Sequence, residues 1–174
     1  MHTYTWDKLA KNSALLNPLT RGRNYPYVPK WEKELILPFV GTKSVLVKLR
    51  AWGLTEKNIH AVTLLFSDCE ILEGEQNVSL LQYFKIIYKG KTYYIKKFDR
   101  LKNPLTSRCT CSSYFYDFAW YNAKNGHCLY GPVPRPYKRK TKTRPPRNPR
   151  GLPGICKHVY HAWDYLKREG LTKN

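Results

Sequence analysis

The sequence predicts an α+β protein, in which a small antiparallel β-sheet precedes a C-terminal region with two short helices and a long Pro/Arg/Lys-rich loop. Three observations predict it. Apolar residues recur at period two between Ser44 and Phe98. Cys109 and Cys111 are answered far downstream by Cys156 and His158. Between Tyr130 and Gly154 stand Pro132, Pro134, Pro136, Pro145, Pro146, Pro149 and Pro153, too many for a helix or a central strand. At 174 residues, 42% hydrophobic and 14% aromatic, the chain can bury one ordinary core, despite a formal charge of +19.

Residues 1–40 read as an extended N-terminal arm. A helix is expected over Trp6 to Leu16, after which Asn17-Pro18, Gly22, Pro26 and Pro29 break any period. The arm is expected to lie across another surface. Residues 41–106 read as the antiparallel β domain. Val45, Val47, Leu49 and Ala51 share one face of a strand with Lys48 and Arg50 opposite, and Ile59 to Phe66 is a second β-rich run. Leu80 to Tyr88 and Lys91 to Phe98 flank Lys89-Gly90, the signature of a hairpin. Cys69 falls in a connection, as a small buried hydrophobe.

Residues 107–174 form the third segment, a metal-binding region that contains the basic loop 130–154. Ser112-Ser113 supplies an N-cap, Phe115, Phe118, Ala119 and Asn122 share a helical face, and Asn125-Gly126 ends the turn. The loop is expected to run extended, rich in polyproline II. From Cys156 to Glu169 a last helix follows, with Val159, Trp163 and Leu166 as its apolar stripe and Gly170 past its end.

Three thiols and an imidazole are the ligand set of a closed structural zinc site. Such a site leaves no open position for water, so it binds and folds rather than catalyses. Cys109, Cys111, Cys156 and His158 would therefore staple the end of the sheet to the last helix and close residues 112–155 into a loop. An iron–sulfur cluster ranks below zinc, because one ligand is His. His127, Cys128 and His161 are competing ligands, read as packing or surface residues. Five cysteines, an odd number in Cys-x-Cys and Cys-x-His spacing, suit a metal and a reducing compartment better than a disulfide framework.

The loop carries Arg135, Lys138, Arg139, Lys140, Lys142, Arg144, Arg147 and Arg150 and no acid. A stiff basic strap pinned at both ends loses less entropy on docking than a free tail. It suits a phosphate backbone or an acidic groove on a neighbouring subunit. No Gly-rich phosphate loop, Gly-x-Ser-x-Gly, His-Glu-x-x-His or paired-carboxylate cluster is present, and a deaminase's His-x-Glu is missing, so no enzyme class is expected. The N-terminus lacks the layout of a secretion signal, and no apolar run approaches the ~20 residues that span a bilayer, so no membrane is expected; with no enzyme class in view, no small-molecule substrate is expected either.

The order Cys-x-Cys then Cys-x-His resembles the SWIM class of zinc finger, with Cys109, Cys111, Cys156 and His158 on its ligand positions. The gap of 44 residues between the pairs is longer than is usual in that class. A wider likeness lies in Gly131-Pro132, Pro136-Tyr137, Arg139-Lys140-Thr141, Arg144 to Pro149 and Pro153 to His158, downstream of the first pair. Over roughly residues 45–165 the chain resembles structural proteins of tailed-bacteriophage virions. That resemblance implies a minor component of a tail, baseplate or neck, assembled in the host cytoplasm, with other virion proteins as partners and packaged DNA as a further one. A SWIM-like, zinc-dependent nucleic-acid-binding protein is the alternative.

Overall fold

The structure is a computed structural model that describes residues 4–16, 28, 30–53, 58–129, 131–138, 143, 146 and 148–173. Helix α1 (Trp6–Ala14) opens it. Thr5 caps its start, accepting at Oγ1 from the Lys8 N–H at 3.4 Å, and Asp7 and Lys11 pair one turn apart at 2.8 Å. Strands β1 (Lys30–Phe39), β2 (Ser44–Trp52) and β3 (Ile59–Phe66) follow, and β7 (Leu105–Cys109) completes a four-stranded antiparallel sheet in the order β1-β2-β3-β7. Between β3 and β7 the chain makes a second sheet from β4 (Ile71–Glu73), β5 (Tyr83–Tyr88) and β6 (Lys91–Lys96), in the order β4-β6-β5.

The expected α+β class therefore holds, with two antiparallel sheets in place of one. The alternation read in β2 is seen directly, since Val45, Val47, Leu49 and Ala51 have no exposed surface. Lys89 and Gly90 both take positive φ, 49° and 75°, as a two-residue hairpin turn with the twist of its strands requires. Phe98, just beyond β6, stacks on Phe66 with ring centroids 4.1 Å apart and meets Phe84 edge-on at 5.4 Å, which joins the two sheets through one aromatic contact.

The expectation of an extended arm over residues 1–40 is corrected in its described parts. Trp6, Leu9 and Ser13, at i, i+3 and i+7, are buried on this chain's own core rather than on another surface. The Trp6 indole lies 5.5 Å from that of Trp163, and its Nε1–H donates to the Val159 carbonyl at 3.5 Å. Residues 30–39 form β1, paired in register with β2 through a bulge between Lys33 and Leu35. The breakers Asn17 to Pro26 and Pro29 lie outside the described residues.

After β7 comes a helical run that enters through Ser112 and Ser113, widens into a π-helix, Tyr114–Ala119, and continues as helix α2 (Trp120–Lys124). This corrects two expectations. Ser113 has helical dihedrals and does not cap; its hydroxyl donates to Asp117 Oδ2 at 2.9 Å. The wider π turn also shifts the phase, so Tyr114 is buried with Phe118, Ala119 and Asn122 while Phe115 is 54% exposed. Helix α3 (Lys157–Arg168) lies on β3 and β7, burying Val159, Trp163 and Leu166 as expected. No helix among the described residues is long and apolar enough to cross a membrane.

Candidate metal centre

The two ligand pairs reach one place because two element ends meet there. β7 alternates Leu105, Ser107 and Cys109 toward the interior, so its last residue delivers a thiol to the inner face. Thr110 then fixes the knuckle. Its N–H donates to the Ala61 carbonyl at 3.1 Å, and its Oγ1 accepts from the Ala61 N–H at 3.0 Å. Cys111 follows on the turn into the π-helical run and accepts from the Tyr114 N–H at 3.3 Å. Cys156 is the N-cap of α3, extended at φ −78° and ψ 171°. His158 sits within the first turn.

All four side chains are buried, and their ligand atoms lie within 4.8 Å of one another. Cys109 Sγ is 3.8 Å from His158 Nδ1. Ligands at ~2.0–2.3 Å from a tetrahedral ion stand roughly 3.5–3.8 Å apart, so this group has nearly the dimensions of a shell around a single ion. The cluster could hold a metal ion such as zinc. Its electrostatics point the same way. Burial pushes the Cys109 and Cys156 thiols well up, whereas Cys111, accepting hydrogen bonds from Cys109 and then Cys156, is held far below the usual thiol range. Three sulfurs crowded in one dry site share charge badly, and a divalent cation is what would let all of them ionise.

One neighbour escaped the sequence reading. His60 packs its ring against His158 at 4.5 Å, and burial lowers its pKa, with the adjacent His158 adding to the effect. The available signal was parity, since His60 is in phase with Val62, Leu64 and Phe66 on the inner face of β3. The competing ligands stay apart. His127 meets Tyr4 edge-on at 4.6 Å, and His161 faces Asp164 at 3.4 Å. Cys128 pairs in a bridge with Ser107 and is not a member of the cluster of four.

Polar clamps place the second pair. The Asn122 side chain donates to the Gly154 carbonyl and accepts from the Gly154 N–H, both at 2.9 Å. Ser13 Oγ accepts from the Ile155 N–H at 2.7 Å, and Asn148 donates to the carbonyls of Asp117 and Leu152, each at 2.8 Å. The segment leading into Cys156 is thus fastened to α1 and α2 by side chains that no motif advertises. Of the basic residues, Arg135, Lys138 and Arg150 are exposed. Arg139, Lys140, Lys142, Arg144 and Arg147 lie outside the described residues.

Compared with known proteins, the chain matches no protein-family model, no curated protein and no solved structure.

Proposed function

We propose that this chain is a non-enzymatic structural subunit of a tailed-bacteriophage virion, in its tail, baseplate or neck, whose structural zinc clamps an extended basic loop against neighbouring subunits. The virion assignment rests on the sequence resemblance over roughly residues 45–165, and the observation that supports its zinc clamp is the burial of all four candidate ligands around a space of single-ion size. A fully protein-ligated ion has no position for substrate or activated water, so its contribution is to folding. Convergence on one point also favours zinc over an iron–sulfur cluster, whose bridging sulfides need more room. Contacts with other subunits are supported at the β5 edge of the second sheet, which pairs with no further strand among the described residues. There β5 exposes Ile87 at 71%, and the turn before it exposes Leu80 and Leu81 at 64% and 86%. Unpaired edges and exposed apolar side chains are what assembly contacts cover.

Crosslinking mass spectrometry on purified particles tests this proposal. Lysine-reactive links from Lys138, Lys140 or Lys142 to other virion proteins are expected; absence of the chain from the particles would refute it. A second reading, a SWIM-like nucleic-acid-binding module, is favoured by the placement of Cys-x-Cys at a strand end and Cys-x-His at a helix start. It predicts duplex binding by the isolated chain that weakens steeply with salt.

A further inference from the structure

We infer that the groove between β7, the π-helical run and segment 131–138 is a platform for single-stranded nucleic acid. The inference deepens the nucleic-acid reading, on which it rests, by naming the strand type and the side chains that would hold it. The groove encloses about 360 Å³, and Arg108, Phe115, Pro132, Val133 and Arg135 are among the residues that line it. Arg108 ties its walls together. One guanidinium nitrogen donates to the Leu129 carbonyl at 3.0 Å and the other to the Pro132 carbonyl at 3.2 Å. Gly131, at φ 135°, lets the chain pass over that guanidinium, because a Cβ there would lie 2.2 Å from Nη1.

Phe115 lines the groove, and two further rings are chained to it. Phe115 meets Tyr116 edge-on at 5.1 Å, Tyr116 meets Tyr137 at 4.8 Å, and the three are 54%, 41% and 51% exposed. Aromatic side chains in a folded domain are normally drawn inward, and a linked trio left half in water calls for a planar partner. The charge around them selects its sign. Between Arg108 and Trp163 the sequence has one acid, Asp117, which accepts from Ser113 Oγ at 2.9 Å. Exposed Arg135 and Lys138 flank Tyr137 on the same segment. Rings that stack on bases beside cations that follow phosphates are the elements of sequence-tolerant single-strand binding. A duplex keeps its base faces covered and could use only the charge.

The test is fluorescence anisotropy of a labelled oligo-dT against the full zinc-loaded chain, with a duplex of equal length in parallel. Tighter binding of oligo-dT is expected. Phe115→Ala and Tyr137→Leu should each weaken it roughly tenfold or more, whereas Tyr137→Phe should retain it. Because these side chains are exposed, the thermal midpoint should not move. Equal or tighter binding of the duplex, with no effect of the ring variants, would overturn the platform and leave the general nucleic-acid reading standing. No binding to either strand form would overturn both. Loss of crosslinks to a protein neighbour in the ring variants, with oligo-dT affinity unchanged, would assign the surface to protein instead.

Discussion

Asn122 has no exposed surface, yet it is polar, and the reason is that it makes the bonds the chain cannot make for itself. It pairs both backbone groups of Gly154. Asn122→Ala would leave a buried N–H and a buried carbonyl unsatisfied, at a cost of about 2–4 kcal/mol; urea unfolding should show it, with Asn125→Ala, at an exposed position, as the control. Gly154 is fixed from the other side. A Cβ there would lie 2.6 Å from Phe118 Cε1 and from Ser13 Oγ, so Gly154→Ala should lose about 1–3 kcal/mol in the same experiment. Cys69 carries a pH signature. Burial, reinforced by Asp68, pushes its thiol up to about 12 from an ordinary 9.0. The native state therefore holds a proton that the unfolded chain releases above pH 9. The stabilisation is complete below pH 9 and is lost as pH rises toward 12, at about 1.4 kcal/mol per pH unit. Cys69→Ala should flatten the alkaline limb of a stability–pH curve by that slope; an unchanged limb would show that the thiol already ionises in the native state.

At the scale of elements, α3 is the one whose start and stop both decide something. It begins on Cys156, a member of the candidate metal cluster, and it ends in a Schellman motif. The Gly170 N–H donates to the Lys167 carbonyl at 3.0 Å and the Leu171 N–H to the Leu166 carbonyl at 2.9 Å, with Gly170 at φ 72°. Gly170→Ala should lower the thermal midpoint through a loss of about 1 kcal/mol without disturbing metal content. This helix, the β2 alternation and the β5–β6 hairpin were legible because their burial is one-sided and their turn residues are specific. β1 was not. It is an edge strand without one fully buried position, so Lys30, Glu32, Lys33 and Glu34 hide the alternation that pairing with β2 imposes. The face of residues 114–124 was misread at Phe115 because a 3.6-residue period cannot anticipate a π turn. The four residues of the candidate metal cluster were legible from spacing alone. Their supports, Thr110, His60, Asn122 and Ser13, were not, because each acts through a contact distant in sequence.

On the scale of the whole molecule, the cluster closes a circuit. β7 enters it from the four-stranded sheet, α3 leaves it, and α1 lies on α3 through Trp6, so one ion would couple the two ends of the described chain. The polar clamps at Asn122, Asn148 and Ser13 hold the loop's return limb, and the metal would hold its root. If metal binding supplies folding free energy here, the third segment cannot keep its packing without it. One zinc per chain is expected by elemental analysis, and cobalt substitution should give thiolate-to-metal absorption. Cys109→Ala or a strong chelator should abolish both, and limited proteolysis should then open residues 107–173. Cys128→Ala should leave metal content and protease resistance as they were, because that thiol stands outside the cluster. If the clasp sets the shape of the strap and of the groove, which Cys109 itself lines, oligo-dT affinity should fall when the metal is removed. A metal-free chain with unchanged protease resistance would reduce the four residues to ordinary core packing and remove the clasp from every reading built on it.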